Sequence, residues 1–358
     1  MSVAITGRDL PAVERAGTQN PAAVRTWLYG LAALVVAMVL VGGATRLTGS
    51  GLSITEWRPV TGAIPPLSEG AWLAEFDKYR QIDQYQLLNK GMSLAEFQSI
   101  YWWEWGHRQL GRFIGLAFFV PFVWFWAKGQ VRGRLALTLL AVGALGGLQA
   151  GIGWIMVASG LKPGMTAVAP IKLMLHLTVA SVILASLVWI ASGLKQRARD
   201  AAARGFSRGT TLLVAAVLAQ IALGGLVAGS KAGLTFNTWP LMDGRVVPDA
   251  STLFAVSPFI ENFVDNVALV QFNHRFVAYA LVALALWHAF AVTRAAPASG
   301  MARRSRGLAG LVLAQAALGV ATLVLVVPLW AGLAHQGLAM IVLAMAAAHA
   351  RITRAEAA

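Results

Sequence analysis

Eight apolar runs of about 18 to 24 residues constrain this chain before any motif is considered. At about 1.5 Å of helix rise per residue, each is long enough to cross a hydrocarbon core of about 30 Å. They fall at about 27–44, 107–127, 135–157, 173–194, 210–229, 270–293, 308–327 and 333–350. Only 12% of the 358 residues are charged, half the roughly 25% typical of soluble domains. The expected fold is therefore an all-α integral membrane protein with eight transmembrane helices. Residues 1–26 are polar and carry both charge signs; lacking the apolar core and small-residue cleavage site of a signal peptide, they are read as a short disordered tail.

The net charge of +14 invites a nucleic-acid reading, but its distribution argues against one. With the N-terminus inside, segments 1–26, 128–134, 195–209, 294–307 and 351–358 hold 17 of the 29 basic residues. The short outer segments 158–172, 230–269 and 328–332 hold only four. This is the positive-inside bias, which puts both termini in the cytoplasm; the long outer segment 45–106 translocates regardless of charge. No nucleic-acid partner is expected. The absence of cysteine excludes disulfides, thiolate haem ligation and iron–sulfur clusters.

The chain also contains an internal repeat. Gly42-Gly43, Gly51-Leu52, Trp57 and Pro59 recur as Gly224-Gly225, Gly233-Leu234, Trp239 and Pro240, with a steady offset of 182 from Gly51 to Trp57. His107-Arg108 recurs as His274-Arg275 at an offset of 167, and His176 as His335 at 159. The fall from 182 to 167 makes the second copy's outer loop 15 residues shorter. Four helices per copy is an even number, so both copies enter from the same side and the repeat is parallel. The expected architecture is two four-helix bundles related by a pseudo-twofold axis. Residues 27–194 form the first, with a large periplasmic loop, and 210–350 the second. Residues 195–209 are the cytoplasmic linker between them, and 351–358 a cytoplasmic tail.

Small residues mark the first and third helices of each copy. Gly143, Gly147 and Gly151 stand four apart, with Gly146 and Gly153 beside them; Gly42, Gly43, Gly224, Gly225, Gly310 and Gly319 play matching parts. Two roles fit: close helix–helix packing, or room for a flat macrocycle inside the bundle.

Of the six histidines, His107, His176, His274 and His335 begin the second and fourth helices of the two copies, at similar depth near the outer side. One such histidine alone fits an interhelical hydrogen bond. Four under one rule point to function, and two neutral imidazoles facing each other across a bundle suit bis-histidine haem ligation. Two pairs fit two haem sites better than one tetrahedral metal. Arg108, Arg112 and Arg275 lie at the same level, as propionate clamps or as snorkelling interfacial cations. Glu104 precedes His107 by three residues and shares its helix face, which aims it at the rim of the first pocket; Gln271 is its neutral counterpart. A carboxylate there suits proton transfer or stabilisation of a developing cation, and equally a capping acid. His288 and His349 each follow a ligand candidate by 14 residues and fall opposite each other near the cytoplasmic side. The first copy has Pro121 and Ile190 at those positions, so a structural role is expected for this pair and not a second stacked haem.

The runs Leu87–Phe97 and Tyr101–Arg112, the segment Thr45–Ile54 with Trp57-Arg58-Pro59, and Asn273-His274-Arg275 resemble haem A synthase in its proteobacterial and mitochondrial branch, over about residues 27–350. The resemblance implies oxidation of a methyl group of haem O to a formyl group by successive hydroxylation, yielding haem A for a terminal oxidase. It implies that His107 and His176 hold the haem O substrate with Glu104 as catalytic residue. His274 and His335 then ligate a haem b cofactor. The loop cysteine pair of one branch is missing, so no redox role of that pair carries over. The implied setting is a bacterial inner membrane, with haem O arriving from a haem O synthase. The other implied partners are a separate electron donor, terminal oxidase assembly factors, the lipid bilayer and, as a further candidate, a second copy of the chain. The alternative reading is a multi-haem cytochrome b that carries electrons from quinol and oxidises no methyl group.

Overall fold

A computed structural model describes residues 21–195, 197–198, 200 and 202–357; of the tail expected over 1–26, residues 1–20 lie outside the described residues and 21–26 are the first turns of a helix. In chain order the α-helices are α1 (Pro21–Leu47), α2 (Glu69–Arg80), α3 (Asp83–Leu88), α4 (Leu94–Ala127), α5 (Gly133–Gly160), α6 (Pro170–Gly193), α7 (Ala203–Gly229), α8 (Ala250–Leu253), α9 (Val267–Ala295), α10 (Gly300–Val324) and α11 (Leu329–Ala357). Eight of them, all but α2, α3 and α8, are long and apolar enough to cross a membrane. The protein is a multi-pass membrane protein, and each expected run overlaps one of these helices.

Helix ends depart from the apolar runs where local chemistry overrides hydropathy. α4 starts 13 residues before His107, because Ser93 and Glu96 form a reciprocal capping box that satisfies orphan amides at its first turn. Its Trp-rich beginning extends past the apolar run. α10 stops at Val324 although the apolar residues continue, since Val326 and Val327 take left-handed φ values of 59° and 56° ahead of Pro328, which cannot extend a helix. α11 continues to Ala357, so the residues expected as a tail are helical.

α1, α4, α5 and α6 form one group and α7, α9, α10 and α11 the other. The groups meet where α6 packs on α7 and α11, and α1 on α11. Gly225 and Gly229 allow the α6–α7 contact: a Cβ would lie 2.9 Å from Met174 Cα at the first and 2.6 Å from Pro170 Cα at the second. Gly43 makes equivalent room for Gln336 of α11, whose amide donates to Val39 O at 2.9 Å. A single apolar core, including Leu28, Leu184, Leu213 and Leu343, runs through both groups.

At one end of the bundles lie two long loops, one in each copy. Residues 48–93 carry α2 and α3 and close over a satellite core of Ile54, Phe76, Tyr79, Phe97 and Tyr101. Burial pushes the Tyr79 phenol up, and it keeps partners in Gln84 at 3.0 Å and Asn89 at 2.6 Å. The shorter second loop is tied by Asn262 and Asn266, whose amides donate to Val256, Phe259, Thr252 and Leu253 carbonyls.

Candidate haem-binding sites

The four histidines singled out above lie on α4, α6, α9 and α11, and each imidazole rests on a glycine of a neighbouring helix. A Cβ at Gly42 would stand 2.9 Å from His107 Nε2, and one at Gly153 2.9 Å from His176 Cε1. A Cβ at Gly224 would stand 3.2 Å from His274 Cε1, and one at Gly319 2.7 Å from His335 Cε1. No side chain larger than hydrogen fits at these four positions without moving a ring. His107 and His176 stand on helices of the first group, and His274 and His335 on helices of the second. The two roles weighed for the glycines are thus divided among positions: Gly43, Gly225 and Gly229 pack helices, while Gly42, Gly153, Gly224 and Gly319 cradle imidazoles. A pair of imidazoles on glycine-lined walls fits a flat, bis-ligated macrocycle, because Cβ atoms there would occupy the space beside the rings.

The two copies differ in how closed they are. α9 packs along α10, whereas α4 meets α5 at few places. One is Gly143, where Phe118 leaves 2.8 Å for a Cβ; nearer the loop end, Trp57 meets Trp154 of α5 with ring centroids 5.2 Å apart. Between them Gly146, Gly147 and Gly151 have nothing within 4 Å of a built Cβ. From Gly143 to Trp154 is about 16 Å of helix. The result is a window in the side of the N-terminal bundle, next to the two histidines.

Three glutamines complete the histidine surroundings. Gln149, Gln220 and Gln315 donate to the backbone carbonyls of His176, His274 and His335 at 2.9, 3.0 and 2.9 Å. Each stands four residues before the glycine that cradles the same histidine. The reading of the sequence missed them, though Gln-x-x-x-Gly recurs visibly at 149–153, 220–224 and 315–319.

The arginines act on the loops. Arg108 donates to Ile54 O at 2.8 Å and Glu56 O at 2.9 Å; Arg275 donates to Phe236 O at 2.6 Å and Thr238 O at 3.0 Å. Those carbonyls are related by the repeat's offset of 182. Arg112 grips Pro59 O at 2.9 Å and Arg58 O at 3.0 Å. Donors remain: Arg275 Nε is buried without a partner, and Arg108 and Arg112 line a cavity of about 270 Å³ together with Arg58. Lys78, beside Glu56 in the same loop, holds that exposed carboxyl below its usual range.

Glu104 is 2% exposed and fully engaged, pairing with Arg108 at 2.6 Å and accepting from Ser53 Oγ and Ile54 N, both at 2.8 Å. It is fixed to the loop one turn before His107. Near the other end of the helices, His288 and His349 do face each other, with Nε2 atoms 3.1 Å apart and Ser305 Oγ 3.3 Å from His349 Nε2. Both are buried. The two Nε2 atoms share one hydrogen bond, while both Nδ1 atoms are buried without a partner.

Comparison with known proteins identifies relatives over most of the chain. The family model COX15-CtaA, described as cytochrome oxidase assembly protein, matches residues 25–347. A protein of Methylobacterium sp. (strain 4-46), named Heme A synthase, is 68% identical over 96% of this chain and 95% of its own length. A protein of the same name from Methylorubrum extorquens (strain PA1) is 64% identical over 93% of this chain and 87% of its own. That from Brucella anthropi is 53% identical, over 92% of each.

Proposed function

The chain belongs to the haem A synthase family of cytochrome oxidase assembly proteins, and from that premise we propose how its two halves divide the work. The activity is oxidation of haem O to haem A, by successive hydroxylation of a methyl group to a formyl group. Family membership displaces the electron-carrier alternative.

We assign the substrate to the N-terminal bundle, between His107 and His176, and a haem b cofactor to the C-terminal bundle, between His274 and His335. The observation that carries the division is the sparse packing of α4 on α5, against the close packing of α9 along α10. A substrate that arrives and a product that leaves through lipid need a side opening, whereas a resident cofactor is better held in a closed bundle. When bound, haem supplies the redox chemistry of its iron. The protein's residues hold, orient and enclose. Neutral imidazoles on His107, His176, His274 and His335 present nitrogen lone pairs between the helices. Arg108, Arg112 and Arg275, anchored on loop carbonyls, direct their remaining N–H groups at propionates. Glu104, one turn before His107, supplies a carboxylate on the substrate side, to accept a proton or to stabilise positive charge as it develops. The loop end, with these four histidines, faces the periplasm of a bacterial inner membrane, and both termini are cytoplasmic. In that arrangement the two bundles are related by a pseudo-twofold axis. Haem O synthase and oxidase assembly factors are the partners on either side of the reaction.

Pigment extraction from purified protein tests the assignment. Wild type is expected to yield b-type haem together with o- and a-type haem. The double variant His107→Ala/His176→Ala is expected to yield b-type haem alone. If that variant loses b-type haem and keeps o-type haem, the halves are assigned the wrong way round.

A further inference from the structure

Three of the four histidines meet their glycine with ring Cε1 and His107 meets Gly42 with Nε2; the residue one helical turn before each glycine differs in the same way. It is Gln149, Gln220 and Gln315 in three cases and Met38 in the fourth; Met38 and Gln220 are related by the same offset of 182 that relates Gly42 to Gly224. Gln220 Nε2, besides its bond to His274 O, lies 3.0 Å from His274 Nδ1 and 3.4 Å from its Nε2. An atom nearly equidistant from both ring nitrogens at this range lies over the ring, since in the ring plane it would collide with Cε1. The amide therefore rests on the imidazole and blocks its rotation, while the carbonyl bond fixes the amide. Gln315 repeats this on His335, at 3.1 Å from Nδ1 and 3.5 Å from Nε2. Gln149 reaches only the His176 carbonyl, and His176 Nδ1 is buried without a partner. Met38 has no N–H to offer, and its methyl group lies toward Gly111, one turn beyond His107.

Restraint thus falls from the C-terminal pair, through His176, to His107. We propose that Gln220 and Gln315 are positioning residues that lock His274 and His335 as a fixed ligand pair, and that Met38 leaves His107 the exchangeable ligand of the four. The proposal rests on the assignment of one haem to each pair made above. Second-layer groups fix the orientation of ligating imidazoles, and here an amide held by the backbone carbonyl does so by packing on the ring face. A ring held only by its own side chain dissociates more readily, because rotation breaks its alignment. The asymmetry matches the two tasks: a haem that only passes electrons keeps both ligands, and a substrate that must be released has one that lets go.

The test is a carbon monoxide titration of dithionite-reduced, full-length protein carrying its haems as purified. Carbon monoxide binds ferrous haem where an axial ligand gives way, and the b-type spectrum is distinct from the o- and a-type spectra. In wild type, binding is expected at the o- and a-type haem only. Met38→Gln is expected to weaken that binding by about fivefold to tenfold, the equivalent of one added hydrogen bond. Gln220→Met, which copies the natural residue of the other half, is expected to open the b-type haem to carbon monoxide; Gln315→Met serves the same purpose if Gln220→Met loses haem. Unchanged affinity in Met38→Gln, or a b-type haem still closed in both glutamine variants, overturns the proposal. The double variant His107→Ala/His176→Ala separates this from the underlying assignment. If its o- and a-type content is undiminished, the assignment itself fails. Loss of that content, with carbon monoxide affinity unmoved in Met38→Gln, removes the brace alone.

Discussion

Glu104 and Gln271, 167 positions apart along the repeat, do the same mechanical job with different charge. Each bonds the arginine one turn further on, Glu104 to Arg108 at 2.6 Å and Gln271 to Arg275 at 2.8 Å. Each also holds the loop before it: Glu104 accepts from Ser53 Oγ and Ile54 N, and Gln271 donates to Ala232 O and Thr235 O. The bonds to the loop run in opposite senses, the N-terminal loop offering donors to a carboxylate and the C-terminal loop offering acceptors to an amide.

Glu104→Gln keeps the size of the side chain and one acceptor oxygen for the loop; it should retain substrate haem while formyl production fails or stalls at the hydroxylated intermediate. Chromatography of extracted haems reads this directly. Activity near that of wild type would reduce Glu104 to a loop anchor. Glu104→Ala is a different case, because it leaves a largely buried Arg108 without its counter-charge. It should destabilise the protein by about 3 to 5 kcal/mol, measurable as a lowered thermal midpoint in detergent.

Replacing His274 or His335 should abolish the haem b spectrum, because bis-imidazole ligation fails when either partner is lost. Replacing His107 or His176 should leave that spectrum largely intact and abolish turnover. Equal loss of haem b in all four variants would show that the halves do not divide the work.

The glycine cradle makes a prediction that depends on position. A Cβ at Gly319 would stand 2.7 Å from the His335 ring, whereas Gly147 has open space. Gly319→Val should therefore sharply lower haem b content, and Gly147→Ala should leave it unchanged. Pyridine haemochrome assay of the purified variants distinguishes them, and a Gly319→Val protein with full haem b would remove the cradle argument.

His288 and His349 are expected to affect stability and not pigment. His288→Ala removes the 3.1 Å partner of His349 Nε2 and leaves a buried imidazole bonded only to Ser305, a cost of about 1 to 3 kcal/mol. One haem b per chain should persist in both His288→Ala and His349→Ala. Two per chain in wild type, falling to one in either variant, would establish a second haem site near the far ends of α9 and α11.

Hydropathy was enough to place all eight spans, and the repeat offered a division into two sets of four and singled out four histidines. Each of these follows from composition along the chain: a bilayer demands long apolar helices, and a duplicated unit repeats its chemistry at fixed offsets. The resemblance to haem A synthases was carried by contiguous runs such as Tyr101–Arg112, which a linear reading sees whole. Tertiary structure alone decided which glycines cradle imidazoles and which pack helices, since both kinds lie at the same spacing on the same helices. It decided that Arg108 and Arg275 grip loop carbonyls, because a carbonyl's position depends on how a loop folds back. It also decided that α4 stands away from α5, because only the path of the whole chain determines which faces of neighbouring helices meet. The glutamine brace lies between these cases: its spacing was written in the sequence, but its meaning required a histidine from another helix to arrive beside it.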